Sequence, residues 1–339
     1  MSDEAARSAD RPGAQQATPQ GSAERGPEQC GFEQRGSDPQ ASAGAVSDGE
    51  AEVAGDLESS SRQQAEGRPV NDAAHVEGID VARLLAADFL GHIDYLPETT
   101  STNDVALRLA QQPRLPTPAL VIAERQTAGR GRGAHRWWSA PGGLMFTLVL
   151  EPDAEQMPSA VWPRVSLAVA TALVDVVAPR VPAATCGVRW PNDVFVDERK
   201  LAGILVEVPA PAPACRQRLA VGVGLNVNNS LAAAPDEVRR VGTSLADATG
   251  RTHDRTELLL ALLSRLEQRL QQLAQGDREL PRRWQSLCLL AGREVQLDSG
   301  TRRVRGRCGG IGLDGGLVIE VAGRPQRFYG GTLTSVGPR

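Results

Sequence analysis

Residues 187–208, GVRWPNDVFVDERKLAGILVEV, decide the fold. Residues 194–196 form a short apolar run and residues 201–208 a longer one, and the polar triplet DER separates them. Two apolar runs that flank a short polar turn predict a β-hairpin, with Lys200 at the start of its second strand. The preceding RWPND motif places Asn192 and Asp193 where a closed hairpin would bring both side chains near Lys200.

Lys200 also stands out in the composition of the chain. The sequence has 37 lysines and arginines, and Lys200 is its one lysine, so 36 are arginine. A single lysine can survive by chance, and a surface hairpin would use some of the same residues. The alternative is a position that needs a compact, mobile ammonium instead of a planar guanidinium. A carboxylate, an amide and an indole in the same segment favour this second interpretation and indicate a binding or catalytic site.

A glycine-rich loop, QTAGRGRGAHR at residues 126–136, connects two apolar runs at 119–124 and 144–150 that predict buried strands. Its glycines let the backbone approach a ligand while its arginines reach phosphate or carboxylate oxygens. The loop matches neither a Walker loop nor a dinucleotide fingerprint. By itself it is equally typical of a flexible surface loop or a nucleic-acid contact. Its place between two buried strands, just before two tryptophans, favours an active site.

Apolar periodicity predicts further elements. Helices are expected at 79–89, 161–177, 256–273 and 280–290, and Ser101 or Thr102 is a candidate N-cap for a helix that carries residues 105–109. Residues 219–228 predict a strand whose two glycines indicate that something lies close to its backbone. Asn226 at the end of this strand either contacts a ribose or phosphate oxygen or turns the chain. Short glycine-separated strands after residue 292 predict a small β-barrel.

Composition separates residues 1–76 from the rest. Gly, Ala, Ser, Gln, Glu and Pro dominate that segment, and residues 1–72 carry a net charge of −8 against +4 for the remainder. A segment with so few large apolar residues cannot offset its ordering entropy, so we expect a disordered acidic extension. The mildly basic remainder suits a phosphate-bearing ligand, but its charge is too weak to indicate nucleic acid.

The pattern of cysteines and the hydropathy of the sequence indicate the cellular compartment of the protein. The five cysteines include no CxxC pair, which indicates neither a disulfide framework nor a zinc site and favours the reducing cytosol. The sequence shows no signal peptide, and we find no later segment that reads as long and apolar enough to span a bilayer. We therefore expect a soluble, cytoplasmic protein.

Three motifs together carry a resemblance. GRGR followed by a tryptophan, WPND-x₆-KLAGILVE and GxGxNVN occur in this order, and the chain from about residue 79 to residue 339 resembles the biotin–protein ligase family. The resemblance implies an α+β fold, with a central mixed β-sheet and flanking helices at 77–290 and an SH3-like β-barrel at 291–339. Because no winged-helix pattern precedes the motifs, the chain resembles the single-function class, and we expect neither a DNA nor a membrane partner.

The resemblance implies a two-step reaction with ATP and Mg²⁺. Biotin is activated to biotinyl-5′-AMP and then passed to a lysine of a biotin carboxyl carrier domain. Lys200 would relieve the repulsion between the biotin carboxylate and the α-phosphate. Arg130 and Arg132 would clamp the adenylate, and Asp193 would orient or deprotonate the incoming amine. The residues implied to bind biotin are Ser101, Thr102, Asn103, Gln126, Gly129, Arg130, Trp137, Lys200, Gly203 and Leu205. Those implied to bind ATP or the adenylate are Arg132, Arg136, Trp137, Asn192 and Asn226, and no metal ligand is assigned.

The sequence departs from the family pattern at two places, and two other functions remain as alternatives. Gly133, Ala134 and His135 stand where the family often has basic residues, and Val336 lies near a position where arginine is common; both predict looser retention of the adenylate.

Lipoate or octanoate ligases and transferases share the implied fold and lysine, but they lack the GRGR and tryptophan pair. A nucleic-acid-binding module would account for the basic loop, but it gives a lone lysine beside WPND no purpose.

Overall fold

The computed structural model describes residues 78–213, 215–300 and 302–337. The acidic extension expected at residues 1–76 lies outside the described residues, so that expectation stays a prediction. The strands are β1 (His92–Thr99), β2 (Ala119–Gln126), β3 (Leu144–Leu150), β4 (Cys186–Arg189), β5 (Asp193–Val196), β6 (Arg199–Glu207), β7 (Leu219–Leu225), β8 (Glu294–Asp298), β9 (Arg303–Ile311), β10 (Leu317–Val321), β11 (Arg324–Phe328) and β12 (Thr332–Val336). The helices are α1 (Val81–Leu85), α2 (Thr102–Leu109), α3 (Val165–Val177), α4 (Asp236–Val241), α5 (Leu245–Thr249), α6 (Arg255–Ala274) and α7 (Glu279–Ser286).

The first seven strands form one mixed sheet in the order β1-β2-β3-β7-β6-β5-β4. The β1–β2 pair is parallel, and the remaining neighbours pair antiparallel. The sequence of β3, LMFTLVL, is buried at all of its positions. Such continuous burial requires cover on both faces of the sheet, which explains why β3 lacks the polar alternation of a half-exposed strand.

Helices supply that cover on both faces. Helix α2 packs on the face that carries Val121, Val149 and Ala220. Helices α3 and α6 pack on each other, and α3 lies over the opposite face at β4, β5 and β6. The predicted hairpin is confirmed as β5 and β6, and the N-terminus of α2, β6 and β7 line one common cavity.

The helical run Ser159–Arg180 corrects one sequence-based expectation. By length and composition it could cross a membrane, with a mean hydropathy of 1.6. The expectation that no such segment exists was therefore wrong. In the structure 67% of an 18-residue window of this run is buried inside the protein, where its apolar side chains form part of the main hydrophobic core.

The C-terminal strands form a second sheet in the order β11-β10-β9-β8-β12. The expected fold class, a mixed sheet with flanking helices and a small β-domain, is confirmed. The small domain is an open five-stranded sheet and not the closed barrel we expected, because β11 and β12 lie at opposite edges. The strand β12 was not predicted from the sequence, since its residues TLTSV carry little apolar alternation.

Candidate active site

One cavity of about 570 Å³ collects most of the predicted site residues, a volume within the usual range for small-molecule sites. The N-terminus of α2, the glycine-rich loop, the β5–β6 hairpin, β7 and β12 all contribute to its walls. Among the predicted site residues, those that line it are Ser101, Thr102, Asn103, Gln126, Arg130, Arg132, Arg136, Trp137, Asn192, Asp193, Lys200, Gly203 and Leu205.

Lys200 faces this cavity because the β5–β6 hairpin contains a bulge. Asp193 pairs with Gly203 and Phe195 pairs with Lys200, so Leu201 is an extra residue on β6. Side chains alternate between the two faces of a strand, so residues three positions apart, such as Lys200 and Gly203, normally point to opposite faces. The bulge shifts this alternation by one residue and turns Lys200 to the same face as Gly203.

An ion pair joins the ammonium and the carboxylate that line the cavity. Lys200 Nζ lies 2.8 Å from Asp193 Oδ1, and both side chains are mostly buried. Asp193 Oδ1 makes no aligned hydrogen bond within the described residues, so the contact is mainly electrostatic. Lys200 Nζ also lies 5.9 Å from the centre of the Trp137 ring. The lysine is therefore held between a carboxylate and an indole.

Two glycines in neighbouring strands make room for Trp137. A Cβ atom on Gly224 would lie 2.4 Å from Trp137 Cε2, and one on Gly203 would lie 3.3 Å from Trp137 Cζ3. The sequence-based interpretation of the strand glycines as places of close approach is therefore correct for Gly224. Gly222 likewise makes room for Asn103, because a Cβ atom on Gly222 would lie 1.9 Å from Asn103 Oδ1.

The start of α2 forms a polar end to the cavity. The Thr102 backbone N–H donates to Gln126 Oε1 at 2.8 Å, which satisfies one of the free donors at a helix N-terminus. The buried Thr147 hydroxyl lies 2.9 Å from Thr102 Oγ1 and 2.7 Å from Asn103 Oδ1. Ser101 is the N-cap residue, but its side chain makes no capping hydrogen bond. Sequence reasoning missed Thr147, because a threonine inside an apolar strand gives no sign of its partners.

Arg130 is bound to two carboxylates and does not point freely into the cavity. Its guanidinium donates to Asp104 Oδ1 at 2.8 Å and to Glu207 Oε1. Burial lowers the pKa of Arg130, but the hydrogen bonds and charges of Asp104 and Glu207 outweigh this effect and raise it overall. Glu207 Oε2 accepts a further hydrogen bond from Asn103 Nδ2. Arg130 therefore ties the loop to α2 and β6.

The glycine-rich loop is folded into a small hairpin, residues 129–137, which we call the arginine hairpin. Arg130 and Arg136 pair across it, and the Gly131 N–H donates to the His135 carbonyl at 2.9 Å. Gly133 at its tip has φ +64°, a conformation that favours glycine. Arg132 extends from this hairpin and donates to the carbonyl of Gly331, just before β12. The arginine hairpin and the C-terminal sheet are thus joined across the cavity.

A cluster of charges that sequence reasoning did not predict also lines the cavity. Glu198 accepts from Arg189 Nη2 at 3.2 Å and from Arg293 Nη1 at 2.7 Å. Arg189 also stacks on Phe195, with Cζ 3.9 Å from the ring centre. Arg293 comes from the C-terminal domain, and in an arginine-rich chain its sequence context gives no signal of this role.

Two predicted site residues do not line the cavity. Asn226 is buried, donates to the Thr243 carbonyl and accepts from Asn229 Nδ2. Its amide is used inside the protein, so in this structure it turns the chain and is not available to a nucleotide. Gly129 lies beneath Trp137, where a Cβ atom would come within 2.6 Å of the Trp137 carbonyl oxygen. Asn192 lines the cavity but donates to the Ile204 carbonyl at 2.7 Å, which ties the segment before β5 to β6.

The carboxylates that line the cavity determine what kind of metal site it could form. No group of three or more His, Cys, Asp or Glu side chains in the described part of the chain could hold a metal ion. Two carboxylates, Asp193 and Glu198, do line the cavity. Mg²⁺ is commonly bound by one or two carboxylates together with substrate phosphates. The cavity therefore fits a Mg²⁺ that arrives with a phosphate ligand, and it does not fit a metal held by protein alone.

Comparisons with known proteins agree with this architecture. The model of the biotin/lipoate A/B protein ligase family matches residues 95–226. A biotin–[acetyl-CoA-carboxylase] ligase of Mycobacterium tuberculosis is 36% identical over 235 residues, which are 68% of this chain and 84% of that protein. The ligase of the same name from Paracoccus denitrificans is 34% identical over 249 residues, 70% of this chain and 100% of that protein. Among solved structures, a biotin protein ligase from Aquifex aeolicus in complex with biotin and ATP aligns with a TM-score of 0.62 at 27% identity, over 73% of this chain and 99% of that chain.

Proposed function

The chain belongs to the biotin/lipoate A/B protein ligase family, and we infer that it acts as a biotin–protein ligase. It activates biotin with ATP to biotinyl-5′-AMP and transfers the biotin to a lysine of a carrier domain. One observation carries this function. The same cavity is lined by a slot with an indole wall, by the Lys200–Asp193 ion pair and by a group of arginines.

We assign biotin to the slot beside Trp137. The fused rings of biotin need an apolar wall, which Trp137 supplies where it lies on Gly203 and Gly224. The ureido group needs donors and acceptors at a fixed place, which suits the network of Thr102, Asn103 and Gln126. In this orientation the carboxylate tail extends towards Lys200.

Lys200 supports the first step. The biotin carboxylate oxygen attacks the α-phosphorus of ATP, the bond from that phosphorus to the bridging oxygen breaks, and pyrophosphate leaves with the electron pair. Two anions must approach each other, and an ammonium aimed at both stabilises the charge that develops between them. The ion pair with Asp193 holds Lys200 Nζ at the wall of the cavity. Mg²⁺ bound to the phosphates next to Asp193 and Glu198 would neutralise part of their charge.

Asp193 supports the second step. The lysine amine of the carrier domain attacks the acyl carbon of the adenylate, the acyl–oxygen bond breaks, and AMP leaves. The amine must lose a proton, and a carboxylate at the centre of the cavity can accept it or orient the nitrogen. This role for Asp193 and the carrier domain of a carboxylase as the acceptor are parts of the same proposal.

Biotin-dependent exchange of labelled pyrophosphate into ATP tests the function. We expect exchange with biotin, and none with octanoate, lipoate or no acid. A second assay with a biotin carrier domain and its Lys→Arg variant tests the transfer step, and only the carrier with lysine should become labelled. Exchange that depends on octanoate or lipoate instead of biotin would overturn the assignment of the substrate.

A further inference from the structure

Cys288 and Cys308 meet where the first sheet adjoins the second. The Val188 N–H donates to the Leu287 carbonyl at 2.8 Å, and the Leu289 N–H donates to the Val188 carbonyl at 2.9 Å. Cys288 therefore lies on a short segment that continues the first sheet beside β4, whereas Cys308 lies on β9 of the second sheet. Both are free thiols, and they are hydrogen-bonded to each other. The pair thus connects the two sheets through sulfur atoms.

The backbone holds this contact in place from the side of β9. The Gly292 N–H donates to the Cys308 carbonyl at 2.8 Å, and the Cys308 N–H donates to the Arg293 carbonyl at 2.8 Å. The segment that follows Cys288 is therefore bonded directly to the residue that carries the second thiol. A bulge at Gly309, between the Cys308–Ile319 pair and the next pair of β9 and β10, adds local twist beside that thiol.

The two sulfur atoms have unequal surroundings. Three backbone N–H groups are hydrogen-bonded to Cys288 Sγ, those of Leu290, Ala291 and Ile311. The hydrogen bond with Cys308 lowers the pKa of the Cys288 thiol and the N–H groups add to this effect, although burial opposes it. The same thiol contact, together with burial, raises the pKa of Cys308. Cys288 is therefore the thiolate of the pair and the better nucleophile, and Cys308 keeps its proton.

Burial limits which reagents can reach the pair. Cys288 is 9% exposed and Cys308 is 2% exposed, so a small oxidant can enter but a bulky one is excluded. Cys186 differs in its chemistry, because burial raises its pKa to about 12 and keeps it a thiol. Cys215 Sγ donates to the Gln111 carbonyl at 3.4 Å. These two cysteines serve as internal references for the reactivity of the pair.

We propose that Cys288 and Cys308 are a redox modification site, at which a small peroxide forms a reversible disulfide that ties the catalytic sheet to the C-terminal sheet. The Cys288 thiolate attacks one oxygen of hydrogen peroxide, the O–O bond breaks, and the hydroxide that leaves is protonated to water. The Cys308 sulfur then attacks the sulfenic sulfur of Cys288, and its proton leaves with the hydroxide as a second water. Two thiols are oxidised and one peroxide is reduced. A reducing thiol restores both cysteines by disulfide exchange and is itself oxidised.

This inference does not depend on the proposed function. The competing explanation is that the two thiols only fill the core, where both belong to the main hydrophobic cluster. The two explanations differ in what a peroxide does to the folded protein, and this difference can be measured without any assay of activity.

Peptide mapping of the full chain without reduction tests the proposal. Trypsin leaves Cys288 in the peptide 284–293 and Cys308 in the peptide 308–327, because Pro325 prevents cleavage after Arg324. After brief treatment with hydrogen peroxide we expect these two peptides to be joined, and dithiothreitol should separate them. The number of titratable thiols should fall from the five of the sequence by two. The melting temperature should rise by roughly 5 °C or more and return on reduction, because the bond closes the loop between 288 and 308.

Single variants test the order of the two steps. In Cys308→Ser the sulfenic acid on Cys288 has no second thiol to react with, so dimedone should label the peptide 284–293. In Cys288→Ser, dimedone should leave the peptide 308–327 unlabelled. Cys215→Ser is the matched control and should form the same linked peptides as the unmodified protein.

Two results would overturn the proposal. One is a folded, unmodified protein that keeps all its thiols under peroxide, or that forms a disulfide through Cys186 or Cys215 instead. The other is equal dimedone labelling at both positions in the two single variants, which would show that the surroundings of Cys288 do not select it as the reacting thiol. The unmodified protein decides the first point by itself, so the proposal stays testable even if a serine in the core prevents a variant from folding.

Discussion

Lys200 sits in a space that suits an ammonium better than a guanidinium. A Cβ on Gly203 would lie 3.3 Å from Lys200 Cε and 3.4 Å from its Nζ, so the end of the side chain lies against the backbone of β6. Trp137 and Asp193 bound the same space. A planar, wider group with the same charge would have to displace one of these three neighbours.

Lys200→Arg should therefore fold normally and lose most adenylate formation. We expect a fall of roughly 10²-fold or more, which corresponds to about 3 kcal/mol of lost transition-state stabilisation. The measurement is single-turnover synthesis of biotinyl-5′-AMP, with Arg199→Lys as a charge-preserving control at the adjacent exposed position. Near-normal synthesis by a folded Lys200→Arg protein would show that charge alone is sufficient there.

Gly224 is the second residue on which the slot depends. In Gly224→Ala the new methyl group would lie 2.4 Å from Trp137 Cε2, so the indole must leave its place on the sheet. We expect the KM for biotin to rise by about tenfold or more, equivalent to about 1.4 kcal/mol, while thermal stability changes little. Gly330→Ala is the control, because nothing lies within 4 Å of a Cβ at that position. Unchanged biotin affinity in Gly224→Ala would mean that Trp137 does not form the wall of the slot.

Among the elements, the arginine hairpin links the two domains at the cavity. Arg130 is already paired with Asp104 and Glu207, whereas Arg132 donates, within the described part of the chain, to one carbonyl oxygen, that of Gly331. A charged group with one neutral partner can move to a phosphate at a smaller cost than one held by two carboxylates. Arg132 is thus the better candidate for the clamp on the adenylate, and Arg130 for the fixed anchor of the hairpin.

Arg132→Gly should loosen the arginine hairpin and release the adenylate. The substitution removes the contact with Gly331 and adds a glycine, which increases the entropy lost when the hairpin closes. We expect several-fold more labelling of bystander lysines, with adenylate synthesis retained. Arg114→Gly, at an exposed loop position outside the cavity, is the control. The same bystander labelling in both variants would show that this hairpin does not retain the adenylate.

The limits of sequence reasoning are clearest at the level of the elements. The hairpin, β3, α6 and the strand glycines followed from apolar patterns and from turn residues, because these are local signals. Two features of the site did not follow from local signals in the sequence. The bulge at Leu201 re-aims Lys200, but an inserted residue in a continuous apolar run leaves no mark in the sequence. The contribution of β12 and Arg293 depends on how the second sheet packs on the first, which no local pattern encodes.

The described part of the chain consists of a catalytic sheet with its helices and a C-terminal sheet, which share one cavity. Arg293, Thr332 and Thr334 line it together with residues of the first sheet. Arg293 donates to the carbonyl of Gly337, just after β12, as well as to Glu198, so it connects the β5–β6 hairpin to the edge of the second sheet where β8 and β12 pair. Removing the C-terminal sheet would open one wall of the site.

Removing residues 1–76 should leave both half-reactions intact. Among the described residues, those that line the cavity all lie at Ser101 or beyond, so the shortened chain keeps all the groups to which a role is assigned. The measurement is the KM for biotin and ATP and the rate of carrier labelling, each expected within about twofold of the full chain. A large rise in the biotin KM after truncation would show that this segment contributes to the site.

Trp137 gives the protein a built-in optical reporter. The indole N–H groups of Trp162, Trp190 and Trp284 donate to backbone carbonyls at about 3.0 Å, which fixes their surroundings. Trp137 Nε1 has no such partner among the described residues, and its ring lies beside an ammonium. Its emission should respond when biotin or the adenylate occupies the slot, in addition to the emission of the other four tryptophans. The affinity of the slot can then be followed by intrinsic fluorescence, without a label and without turnover.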